Sequence, residues 1–126
     1  MPGTGAAVTA WDDTNWLIIA GRILADFDDP WSFAEPCMTA FDARNLGEWL
    51  QQAADGQHPA RIDFLEPNLA FTLTDPTTAT VEFAQEAARP GTPIDGHVEV
   101  ALPMHPAALA QAAADWRTET DAYPPR

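Results

Sequence analysis

The sequence predicts an α+β domain: an antiparallel sheet of about five to seven strands with two helices. One helix falls between early strands and the other is C-terminal. Three observations carry that prediction. Apolar residues alternate at period two in short runs at 62–73, 79–83 and 98–102. Two further stretches repeat apolar residues at helical spacing, each marking one buried stripe. The links between consecutive strands are short, which favours antiparallel pairs over crossovers.

Taken in order, residues 1–12 are small and polar apart from Trp11, and they read as a loose N-terminal segment. Residues 15–24, NWLIIAGRIL, read as a strand that is apolar on both faces at its start and therefore central in its sheet. DFDDP at 26–30 is a turn, because Asp side chains bond nearby backbone and Pro30 sets φ. WSFAEP at 31–36 is a short strand ended by Pro36. Thr39 with Asp42 resembles a capping box with Asp in place of Glu or Gln. Leu46, Trp49, Leu50 and Ala53 then form a helical stripe, and Asp55-Gly56 supplies the stop, giving a helix over about 40–55.

Residues 61–74, RIDFLEPNLAFTLT, place alternating runs on either side of Glu66-Pro67-Asn68. Pro67 fits the second position of a β-turn and Asn68 the third, so the stretch reads as a hairpin. Glu66 is left over: its carboxylate either accepts local backbone N–H bonds or points outward as a contact. Strands at 78–84 and 97–102 follow, with Ala79, Val81 and Phe83 on one face and Val98, Val100 and Leu102 on one face. The loop between them is rich in Pro and Gly. His105-Pro106 opens the last helix, whose stripe is Leu109, Ala112, Ala113 and Trp116.

At 126 residues the chain is expected to be one domain, 1–126, with a core that needs no disulfide staples. The formal net charge is −13, and all six positive residues are Arg. Phosphate backbones would be repelled, so nucleic acid is disfavoured, while a basic protein surface is the natural complement. The N-terminus has neither the basic nor the apolar region of a signal peptide, and no apolar run approaches membrane-span length. A cytoplasmic location fits. Cys37 is the single cysteine and reads as a small buried hydrophobe.

Motifs for chemistry are sparse. Asp26, Asp28 and Asp29 do not continue into a calcium loop: the Gly and the Glu at the required offsets are missing in both registers. His58, His97 and His105 show no local zinc spacing. No nucleophile elbow or phosphate-binding glycine loop occurs. Trp16, Trp31, Trp49 and Trp116 lie on apolar strands or helix stripes and read as core. With the apolar strand faces turned inward, the opposite face shows Asp63, Thr72, Thr80, Glu82, His97 and Glu99, with no Arg or Lys in the pattern.

Several motifs recur in a fixed order: Asn15-Trp16-Leu17, Trp31-Ser32-Phe33 with Pro36, Leu46 with Trp49-Leu50, Phe64 with Glu66-Pro67-Asn68-Leu69-Ala70-Phe71, and Tyr123-Pro124 with Arg126. Together, over about residues 15–126, they resemble the WapI family of bacterial immunity proteins. The resemblance implies a small cytoplasmic protein that protects its producer from a polymorphic toxin, often a nuclease. Two departures stand out. Relatives usually carry an earlier strand with Gly-Tyr and Pro, where this chain has MPGTGAAVTAWDD, and the Pro-Pro-Trp near Glu86 is reduced to Ala-Ala-Arg-Pro. The resemblance implies no site residues.

The expectation is therefore an immunity-type binding protein and not an enzyme. It would mask a basic toxin domain with an acidic surface made of Asp26, Asp28, Asp29, Asp63, Glu66, Glu82 and Glu99. No catalytic residue, metal or cofactor is expected. The competing readings are an enzyme, or a small-ligand-binding domain, with a site assembled from distant residues.

Overall fold

A computed structural model of the chain describes residues 4–10 as backbone, and residues 16–24 and 30–125 with side chains. The antiparallel strands are distributed over two sheets. The first contains β1 (Thr4–Ala10), β2 (Trp16–Ile23) and β3 (Trp31–Thr39) in that order. Helix α1 (Ala40–Ala54) follows. The second sheet contains β4 (Ile62–Asp63), β5 (Leu69–Asp75), β6 (Thr78–Ala84) and β7 (His97–Pro103), again in chain order. A 3-10 turn (Gln85–Ala87) leaves β6, and α2 (Pro106–Thr120) closes the fold.

The first sheet corrects two expectations. Residues 4–10, expected to lie loosely, form β1 and pair along their whole length with β2, from Thr4↔Ile23 to Ala10↔Leu17. Their weak apolar pattern hides a strand whose backbone ladder does the work. Second, Pro36 does not end β3. The register passes from Leu17↔Met38 to Ile19↔Glu35, so the ladder is already broken opposite Pro36, and a residue without an N–H costs nothing extra there. β2 is central, as its two-sided apolar start predicts, with Leu17, Ile19 and Ile23 buried.

Helix α1 begins and ends on the predicted residues. The Thr39 hydroxyl accepts from Asp42 N–H at 3.1 Å, and Asp42 Oδ2 accepts from Thr39 N–H at 3.1 Å. At the other end Gly56, with φ +86°, lets its own N–H reach Ala53 O and Gln57 N–H reach Gln52 O. That is a Schellman closure, which needs the left-handed conformation that glycine adopts without penalty.

One core joins both sheets and both helices, with Phe83, Trp49 and Trp116 buried in it and Phe64, Phe71 and Val100 packed against it. Burying each large apolar side chain contributes about 1.5–3 kcal/mol. Three tryptophans also tie distant segments together through their indole N–H groups. Trp31 donates to Ala87 O at 2.9 Å, Trp49 to Ala60 O at 2.8 Å and Trp116 to Ala43 O at 2.7 Å. Each ring is buried while its one polar atom remains satisfied. The Trp116 bond links α2 to α1 across Gly47, where there is no Cβ to hold the ring off.

Candidate functional site

In the second sheet, residues directly opposite one another point to the same side. The inward rows are Leu69/Phe83/Val98, Ile62/Phe71/Val81/Val100 and Leu73/Ala79/Leu102. The outward face then follows by alternation. Its central row runs Asp63↔Ala70↔Glu82↔Glu99 across four strands. His97 lies two residues before Glu99 on β7 and shares that face.

The structure therefore brings Asp63, Glu82 and Glu99 into one row. It also corrects the single-signed face. Arg61 has the same parity as Asp63 and reaches over the row: its Nε lies 3.9 Å from Asp63 Oδ2, and its Nη1 pairs with Glu82 Oε2. Ala70, the residue between these two carboxylates, has a side chain short enough for the guanidinium to cross. Extending the strand alternation one step back from Asp63 would have placed Arg61 on this face. On the other side of Glu82, His97 Nε2 lies 3.5 Å from Glu82 Oε1 and 3.5 Å from Glu99 Oε1. The Glu82 side chain is 18 % exposed, whereas His97 and Glu99 are about half exposed.

Glu66 lies elsewhere, in the turn between β4 and β5. It is exposed, and no hydrogen bond reaches its carboxylate among the described residues. Glu66 therefore caps no backbone donor, and the turn is held through Asn68, two residues on. Asn68 is buried; its side-chain amide donates to Glu86 Oε2 at 3.0 Å, and its backbone carbonyl accepts from Ala84 N–H at 2.9 Å. Beside Glu66, Leu65 is 79 % exposed, an apolar side chain next to an acid on the protein surface. Asp26, Asp28 and Asp29 lie outside the described residues.

Cys37 is buried, and that burial pushes its thiol up to about 12, with Glu35, Glu66 and Asp42 adding negative charge nearby. A thiol held protonated in this way is a poor nucleophile. At the β5–β6 hairpin, Asp75 accepts from the Thr77 N–H at 2.8 Å and from its hydroxyl at 3.0 Å, and these bonds hold its carboxyl below the ordinary value. That is turn chemistry at an exposed position.

Between the sheets and the helices lies a cavity of about 570 Å³. Its walls are apolar side chains such as Phe33, Leu46, Phe71 and Met104, with Asp115 and Glu119 of α2 as its charged lining. No helix among the described residues is long and apolar enough to cross a membrane.

The geometry defines a small α+β domain with a charged, solvent-facing sheet surface set against an apolar core. The family model described as "Immunity protein WapI-like family" matches residues 2–124, and the chain belongs to that family. The match includes β1, so the N-terminal segment that lacks the Gly-Tyr and Pro pattern lies within the family region. Neither a curated protein nor a solved structure matches the chain.

Proposed function

We propose that this protein confers immunity by binding a cognate toxin domain and masking it, without chemistry of its own. The family match carries this reading, since an immunity family implies a partner to be neutralised. The charge distribution supports a mechanism. Net −13 gives a field that attracts a basic surface at long range. A nuclease toxin must be basic where it grips nucleic acid, so it would present the complementary patch. On the outward row, Asp63, Glu82 and Glu99 outnumber the single guanidinium of Arg61, so the row is acidic. Glu66 with exposed Leu65 adds a second contact, and Asp26, Asp28 and Asp29 add to the same field.

Rim charges govern encounter more than residence. Asp63→Asn and Glu99→Gln should therefore slow association with the toxin's C-terminal domain more than they speed dissociation. Raising salt should act the same way, because the Debye length falls from about 10 Å at 0.1 M to about 3 Å at 1 M. The experiment is association kinetics at low and high salt, beside an assay of toxin activity. Rates that stay flat with salt would remove the electrostatic mechanism. A toxin that binds and stays fully active would remove the masking function.

One observation favours a second reading, that of a small-ligand-binding domain. The apolar cavity is of a size that takes a drug-sized molecule. Saturable binding of a neutral apolar ligand, abolished by filling the cavity with Ala79→Phe, would favour it over toxin masking.

A further inference from the structure

We infer that Glu82, His97 and Glu99 form a binding site for a transition-metal dication, zinc in the first instance, on the outward face of the β6–β7 ribbon. The inference stands on this chain alone and is independent of any toxin. The three side chains each offer one ligand atom, and these atoms lie within 4.8 Å of one another. The fold explains the convergence. Glu82 and Glu99 are directly opposite in the ladder, and His97 is the next same-face residue on β7.

The distances suit zinc. Bonds of about 2.0–2.1 Å at tetrahedral angles separate any two donors by about 3.3–3.4 Å. His97 Nε2 stands 3.5 Å from an oxygen of each carboxylate, so two edges of the tetrahedron are already set to within a few tenths of an ångström. Glu99, more than half exposed, can swing to adjust the third edge. The fourth position faces solvent, where water completes the coordination.

Two further features separate this trio from ordinary surface acids. Like charges placed directly opposite across a ladder repel, and a dication between Glu82 and Glu99 turns that repulsion into attraction. Arg61 pairs with Oε2 of Glu82, which leaves Oε1 turned toward His97. A ligating carboxylate is commonly held by an outer partner in this way. The imidazole donor selects zinc, cobalt or nickel over calcium and magnesium, which require a shell of hard oxygens.

The test is titration calorimetry of the full chain with zinc chloride in a non-coordinating buffer, with cobalt absorption as a second reporter. One zinc per chain is expected. His97→Ala and Glu99→Gln should each weaken binding at least about tenfold, since even outer-partner changes cost that much. His58→Ala and His105→Ala should leave it unchanged, and calcium should not compete. The substituted side chains lie on the wet face, and circular dichroism checks that the variants are folded. Zinc should raise the Tm of the wild type and not that of His97→Ala. The site is refuted if the wild type takes up no zinc saturably, or if His97→Ala binds it as the wild type does.

Discussion

Replacing Gly21 by Ala tests how tightly the first sheet is packed against the second. Gly21 lies opposite Phe33 in the β2–β3 ladder, and the Phe33 ring folds over it. A methyl group at Gly21 would stand 2.5 Å from Phe33 Cε1 and 2.8 Å from Cζ. Carbon atoms prefer about 3.5–4.0 Å, so the ring must move by about 1 Å. The open direction is the cavity that Phe33 lines, and a shift into it pulls the ring off Phe83, which it meets edge-on with centroids 6.1 Å apart. Overpacking of this kind costs about 1–3 kcal/mol. Alanine also restricts the unfolded chain, which returns about 0.4–1 kcal/mol. The steric effect wins, and the net loss is about 1–2 kcal/mol. In urea unfolding, with a slope of about 1–3 kcal/mol per molar, the midpoint should fall by roughly 0.5–1 M at unchanged slope. Phe33→Leu should cost less in the Gly21→Ala background than in the wild type, because the clash goes with the ring. A midpoint that rises or stays put, or two substitutions that simply add, would show that the ring does not lie over Gly21.

Trp116→Phe should lose about 2–3 kcal/mol in the same assay, from the 2.7 Å bond to Ala43 O and from ring volume. In that background Gly47→Ala should become stabilising by up to about 1 kcal/mol, because the Trp116 ring, 3.3 Å from a Cβ built there, is what opposes the gain in helix propensity. Asn68→Ala should destabilise by about 1–2 kcal/mol, while Glu66→Ala should stay within about 0.5 kcal/mol. The reverse order would return the turn's hydrogen bonding to Glu66. Cys37 should resist a thiol reagent near pH 8 while the protein is folded and react at once when it is unfolded. Rapid labelling of the folded chain would contradict a thiol pushed up to about 12 by burial.

Elements whose cause is local are legible in the amino-acid sequence alone. The Thr39–Asp42 capping box, the glycine stop at Gly56, proline at the first position of α2 and the period-two runs all act within a few residues, so they could be read directly. The inward and outward faces of β5 to β7 followed from the same alternation. The family resemblance was also legible, because it rests on ordered motifs. The remaining features depend on contacts between segments far apart in the chain. β1 exists because β2 offers it a ladder, not because its own residues demand a strand. β3 runs through Pro36 because its partner's register breaks opposite that residue. Asn68, and not Glu66, holds the turn because Glu86 is brought within reach from 18 residues away. The meeting of Arg61, Glu82, His97 and Glu99 depends on which strands lie side by side. Strand register places such groups within a few ångströms, and no spacing along the chain records it.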